Sequence, residues 1–229
     1  EGRPSGAAYG FTLTLRRILE TEKPDLVAVA FDPPGKTFRH KSFAAYKATR
    51  EKMPEDLVHQ QDWLREIVRA HGVPIYEVPG YEADDVIGTL ARAAEDAGHE
   101  VRIVTGDKDF MQLVSERVQL HNVFKQDSDV TLEGLDAVRE KFGTGPEGVV
   151  EVLAIMGDAS DNVPGVKGIG EKGAKKLIEA YGTVAGVLDH LDEVKGKARE
   201  HIERDRDQLL LSRDLVTIHT DVPLEIGRA

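Results

Sequence analysis

Two apolar runs, each ending in an aspartate, constrain this chain most. Leu26-Val27-Ala28-Val29-Ala30-Phe31 runs into Asp32-Pro33-Pro34-Gly35, and Val101-Arg102-Ile103-Val104-Thr105 runs into Gly106-Asp107. Short apolar runs bounded by Gly and Pro read as buried strands. Around them the spacing turns helical: Phe11, Leu15, Ile18 and Leu19; a run opened by Pro54, with Glu55 and Asp56 in its first turn, and closed by Gly72; and Val86, Leu90 and Ala94, stopped by Gly98. Residues 75–78 and 118–120 add two shorter strands. Strands alternating with helices fold as βαβ units, so the expected fold class is α/β, with a mostly parallel central sheet flanked by helices. After about Thr131 the strand signal stops, and Leu135, Val138 and Phe142, then Val149, Leu153 and Met156, then Ala174, Leu177, Ile178 and Tyr181 keep helical spacing. The expected organisation is an α/β core over 1–130 and a helical subdomain over 131–229.

With 40% hydrophobic and 31% charged residues, a globular monomer is expected. No run approaches a membrane span, and no apolar stretch follows a basic start. Cysteine is absent, which excludes disulfides, Cys-type zinc sites and a cysteine nucleophile, and fits a cytoplasmic setting. A net charge of −11 argues against a nucleic-acid partner until its distribution is read. Lys36, Arg39, Lys41, Lys47, Arg50 and Lys52 fall in one stretch whose only acid is Glu51, and Lys167, Lys172, Lys175 and Lys176 form a second group.

The acids gather in short motifs: Asp32; Glu82, Asp84 and Asp85; Asp107 and Asp109; Asp158 and Asp161. Singly, each reads equally well as a turn or helix-start acid. Together they mean more, because ligands of a parallel α/β sheet bind beyond the C-terminal strand ends, where Asp32 and Asp107 point. Gathered like charges need cations to stay ionised, and all-oxygen donors select hard ions such as Mg²⁺ or Mn²⁺. Such a site suits phosphodiester hydrolysis with two ions about 4 Å apart. Gly165-Val166-Lys167-Gly168-Ile169-Gly170, followed by a basic helix, has the form of a helix-hairpin-helix near 157–182, whose glycines let backbone N–H groups approach phosphate. In the basic stretch near 36–53, Phe38, Phe43 and Tyr46 interleave with the bases, a pattern for phosphate neutralisation and base stacking, although a charge run is more often a solvated face.

These phrases in order resemble the 5′-nuclease (flap endonuclease) family, in the form it takes at the N-terminus of bacterial DNA polymerase I. The matching stretches are Phe31-Asp32, Thr37-Phe38-Arg39-His40, Tyr46-Lys47 with Arg50, Pro79-Gly80-Tyr81-Glu82-Ala83-Asp84-Asp85, Asp107-Lys108-Asp109, and Gly157-Asp158-Ala159-Ser160-Asp161-Asn162 through Gly170. The resemblance implies a structure-specific nuclease acting on 5′ ends and flaps of branched DNA, and on RNA primer 5′ ends. It implies metal binding by Asp32, Glu82, Asp84, Asp85, Asp107, Asp109, Asp158 and Asp161, with two or more ions. It implies a helical arch carrying Lys47 and Arg50 as positively charged catalytic residues, with Tyr46 at a base-stacking position. DNA contacts are expected from Arg39, Tyr46, Lys47, Arg50, Lys167, Gly168, Gly170 and Lys172, with K⁺ at the hairpin and a polymerase domain in a longer parent chain. Family members carry a further strand and metal-binding aspartate upstream of the helix holding Tyr9 and Phe11. The sequence as given opens with Glu1-Gly2-Arg3-Pro4, so a chain starting there is expected to be a weakened nuclease, or a module that binds branched DNA without cutting. A haloacid-dehalogenase-type phosphatase is a further alternative, resting on Asp107-Lys108-Asp109 and Asp158 with Asp161, but it leaves Asp32 and the glycine hairpin without a role.

Overall fold

A computed structural model describes residues 4–123 and 131–225. Helix α1 (Gly6–Thr21) leads to strand β1 (Val29–Ala30), a short helix α2 (Phe38–Ser42), α3 (Glu55–Ala70), β2 (Ile75–Tyr76), α4 (Ala83–Asp96) and β3 (Val101–Val104). A 3₁₀ segment (Lys108–Leu113) and strands β4 (Val118–Asn122) and β5 (Thr131–Glu133) follow. The rest is helical: α5 (Leu135–Phe142), α6 (Pro146–Met156), α7 (Glu171–Tyr181), α8 (Val184–Asp189), α9 (Lys197–Arg204) and α10 (Arg206–Val216).

The α/β class with mostly parallel pairing holds. The described strands form two sheets: β1 pairs parallel with β2, β3 pairs parallel with β4, and β5 closes the second sheet antiparallel to β4. The expected strand at 26–31 is hydrogen-bonded only around Val29–Ala30, with Val29 N donating to Pro74 O and Phe31 N to Tyr76 O. Thr131–Glu133 is a strand where the first helix of the helical third was expected to follow directly. The proposed division at 130/131 falls at the edge of a stretch, 124–130, that lies outside the described residues, as do Glu1, Gly2 and Arg3.

Two cores hold these elements. Leu15 on α1, Val68 on α3 and Val73 pack with Phe11, Val29, Phe31 and Ile75 beneath the first sheet, and Ala8 N donates to Gln60 Oε1 at 3.0 Å to lock α1 on α3. The larger core centres on α6, where Val149, Val152, Leu153, Ala154 and Ile155 are all fully buried. A helix apolar on most of its faces must be surrounded; α10, α7 and the 3₁₀ segment cover it. Each buried aliphatic side chain here contributes about 1.5–3 kcal/mol. That packing fixes the C-terminal end of α6, and hence the loop carrying Asp158.

The basic stretch is less helical than expected. Only Phe38–Ser42 forms helix, and residues 44–49 are turns. Lys47 sits at φ 55°, a left-handed conformation unusual for a side-chain-bearing residue. Its N–H donates to Asp161 O at 2.8 Å, and Asn162 Nδ2 donates to Ala45 O at 2.6 Å. The stretch is thus pinned to the loop after α6. Among the described residues no helix is long and apolar enough to cross a membrane.

Candidate metal centre

Three segments bring acids to one cleft. Glu82 caps the start of α4 and Asp84 lies in its first turn; Asp109 lies on the 3₁₀ segment just beyond β3; Asp158 and Asp161 follow α6. Glu82, Asp84, Asp109, Asp158 and Asp161 line this cleft together with Tyr46 and Arg39. Asp107 and Asp32 stand at its margin. Both are exposed, and both raise the electrostatic load on Asp84. Asp32 Oδ1 accepts from Ala83 N at 2.7 Å, which ties the end of β1 to the start of α4.

The charge in the cleft is only partly compensated. Burial, with the charges of Glu82, Asp107 and Asp32, pushes Asp84 up to about 7 against the opposing pull of Lys47. Burial and Asp107 push Asp109 up to about 7, against the pull of Lys108. Asp109 Oδ1 is buried without a hydrogen-bond partner. Asp158 behaves in the opposite way: burial raises it, yet the Lys108 ammonium, 2.5 Å from Oδ2, and the amides of Ser160 and Asp161 hold it below its usual range. Lys108 itself is raised to about 12, because its carboxylate partners outweigh its burial.

No three acids or histidines among the described residues stand close enough to hold one ion in this arrangement. The reason is visible in the ion pairs. Lys108 Nζ bridges Asp158 and, at 3.4 Å, Asp109; Lys47 Nζ reaches Glu82 at 2.7 Å and Asp161 at 3.6 Å; Arg50 also pairs with Asp161. The chain's own cations stand between the acids. The donor set still fits a hard divalent ion: it is all oxygen, it carries more acids than bases, and burial together with neighbouring carboxylates pushes two of its carboxyls toward protonation.

Three of the residues singled out in the sequence have other work. Asp85 is fully buried, accepts both guanidinium nitrogens of Arg39 at 2.8 Å and also the amides of Glu82 and His219, and so has no oxygen left for a metal. Arg39 is 2% exposed and also donates to Leu215 O and Thr217 O; it joins α2 to the end of α10 and cannot reach DNA. Tyr46 is 4% exposed, and its hydroxyl lies 3.0 Å from both Glu82 Oε2 and Asp161 Oδ2, so its ring offers no face to a base. Burial and those two carboxylates raise its pKa, keeping the hydroxyl protonated as a donor. Lys108 was missed as a site residue; its only signal was its place between Asp107 and Asp109.

The hairpin has the expected form. α6 and α7 flank a loop in which Gly165 (φ 60°) and Gly168 (φ 95°) take left-handed conformations, Val166 N donates to Ile155 O and Ile169 N to Val166 O. A Cβ on Gly168 would meet the His201 ring at 2.6 Å. Lys167, Gly168, Gly170 and Lys172 are exposed, and Gly170 caps the N-terminus of α7.

Comparison with known proteins agrees with this geometry. Residues 1–143 match the model of the 5′-3′ exonuclease N-terminal resolvase-like domain, and residues 144–228 match that of the 5′-3′ exonuclease C-terminal SAM fold. DNA polymerase I of Bacillus caldotenax is 46% identical over 99% of this chain, and the thermostable DNA polymerase I of Thermus aquaticus is 44% identical over 100% of this chain. The chain spans 26% and 27% of those two relatives, about a quarter of their length. Among solved structures, the D15 protein of T5 co-crystallised with metal ions superposes with a TM-score of 0.79 at 21% identity, covering 95% of this chain and 84% of that one. The catalytic core of Rad2 in complex with DNA substrate gives a TM-score of 0.58 at 15% identity, covering 93% and 71%.

Proposed function

This chain belongs to the 5′-3′ exonuclease family, and on that premise we propose that it is a divalent-metal-dependent nuclease that hydrolyses phosphodiesters at 5′ ends and flaps of branched DNA, and at RNA primer 5′ ends. The observation that carries the reading is the convergence of Glu82, Asp84, Asp109, Asp158 and Asp161 on one under-compensated cleft. The solved relatives with divalent ions and with DNA lend it support.

Glu82, Asp84, Asp107, Asp109, Asp158 and Asp161, with Asp32 at the margin, would hold Mg²⁺ or Mn²⁺, two or more ions in all. When bound, such ions supply the Lewis acidity that activates a water and stabilises a leaving oxygen. The chain's own side chains do the rest. Lys47 and Arg50, whose partners in the structure are carboxylates, turn to the scissile phosphate and stabilise its developing charge. Tyr46 holds Glu82 and Asp161 in register, and Arg39 with Asp85 fixes α2 against α4. The hairpin, through Lys167, Gly168, Gly170 and Lys172, grips the duplex backbone without reading sequence, with K⁺ as its ion. We assign the nuclease core to 1–130, with Asp158 and Asp161 joining its metal site from the helical part over 131–229, which also binds the duplex. A cytoplasmic, nucleoid-associated monomer, with a polymerase domain in the parent chain, completes the proposal.

The test is incubation of end-labelled 5′-flap, 3′-flap and blunt duplexes with the chain, in Mg²⁺ and in excess EDTA. The reading expects incision of the 5′-flap near the junction and release of nucleotides from 5′ ends, both only with Mg²⁺, and no incision of the 3′-flap. Equal incision of the 3′-flap would overturn the 5′ assignment, and turnover of p-nitrophenyl phosphate instead of DNA would favour the phosphatase.

A further inference from the structure

A second cavity, of about 50 Å³, lies away from the carboxylates, between the C-terminal half of α1 and the end of β4. Thr14, Arg17, Ile18, Thr21, Glu22 and His121 are among its lining residues. His121 is 5% exposed, and its Nδ1 has no hydrogen-bond partner. Its backbone is fixed on both sides, by β3 at Val104 and by β5 at Leu132, so the ring stays where the strand puts it. Burial, then Arg102 and Arg17, lower its pKa, so the ring is neutral and offers one N–H. A buried polar nitrogen without a partner needs one from water or a ligand.

The charges around the cavity say which ligand. Glu22 is taken by an ion pair with Arg102, which neutralises both. Arg17 is exposed and makes no ion pair with any described residue. Among the described residues one positive charge is therefore left over beside a neutral ring donor and the Thr21 hydroxyl. The Thr14 hydroxyl donates to Gly10 O at 3.0 Å, as expected of a helix-interior threonine, and is spoken for. A cation would face Arg17 and is disfavoured. We propose that this cavity binds a phosphate-class oxyanion, recognised by the Arg17 guanidinium and His121 Nδ1–H. An oxyanion accepts from both donors at once and satisfies the nitrogen that the fold leaves bare. The anion comes either as free phosphate or as a phosphate of nucleic acid.

The test uses the chain with ¹³C-labelled histidine Cε1, following its eight histidine resonances. Potassium phosphate is titrated against potassium chloride at matched ionic strength; a parallel arm adds short duplex DNA in phosphate-free buffer without divalent ions. His121→Gln assigns the resonance, and through-bond correlation to the His121 backbone does so if that variant fails to fold. The expected result is movement of the His121 signal in phosphate but not in chloride, with its pKa rising by about one unit. Arg17→Met should weaken the apparent phosphate affinity at least tenfold, with an unchanged melting temperature in chloride. Movement in the DNA arm alone supports the site with a nucleic-acid phosphate as its ligand. Equal movement in chloride, no movement in either arm, or a full response in Arg17→Met overturns the proposal.

Discussion

Arg39 directs its guanidinium at Asp85, Glu82 and the carbonyls of Leu215 and Thr217, all in a buried setting. Removing one member of such a pair strands the other's charge, so Arg39→Met should cost about 3–5 kcal/mol of stability in urea unfolding. Arg50, half-exposed on Asp161, should cost no more than about 1 kcal/mol when changed to Met. Near-equal losses would refute the structural role given to Arg39. Lys47→Ala is expected to lower single-turnover flap cleavage by at least about tenfold, as loss of about 1.4 kcal/mol of transition-state stabilisation, with a smaller loss of duplex binding. Unchanged single-turnover rates with saturating enzyme would remove Lys47 from the chemistry. The acids of the cleft were legible one by one, because each falls in a short motif: a strand end, a helix start or a Gly-bounded loop. Which base in Lys36–Lys52 turns inward was not: a basic run carries no periodic signal when most of its residues are turns. Arg39, Tyr46 and Asp85 therefore read as ligand contacts until their burial is seen.

At the level of elements, the hairpin between α6 and α7 was the most legible feature, since Gly165, Gly168 and Gly170 mark backbone geometry directly. Gly168→Ala should destabilise by roughly 1–3 kcal/mol, because its φ is 95° and a Cβ meets His201. A melting temperature equal to the parent's would contradict that reading. Neutralising Lys167 and Lys172 together should weaken duplex binding to the same extent on unrelated sequences and flatten its salt dependence by up to about two charges. A loss confined to particular sequences would argue against a backbone grip. The strands were harder to read. The run at 26–31 is apolar throughout, yet only Val29–Ala30 pairs, because pairing depends on a partner, Ile75–Tyr76, distant in sequence, which sequence pattern alone does not supply. The 3₁₀ segment that seats Asp109 is too short to show a period in the sequence, since Lys108–Leu113 is barely two turns.

For the molecule as a whole, the acids make stability depend on pH in two windows. Asp84 and Asp109 sit at about 7 in the folded chain against 3.8 ordinarily, so the folded state holds extra protons between those values. Their contribution is present below about 4 and is lost as pH rises toward about 7. Asp85 and Asp158 are shifted down, so theirs is present above about 4 and is lost on further acidification. Without divalent ions the melting temperature should fall as pH rises from about 5 to about 7.5, and Mg²⁺ should remove most of that fall. A flat profile in EDTA would mean that the cleft acids are not strained.

The account rests on these acids forming a metal centre, and Mn²⁺ binding followed by electron paramagnetic resonance tests that most directly. Free Mn²⁺ should be depleted by the chain, with affinity at least tenfold weaker in Asp109→Asn and Asp158→Asn and unchanged in Arg17→Met. Mn²⁺ binding that is equally strong in both aspartate variants would contradict it.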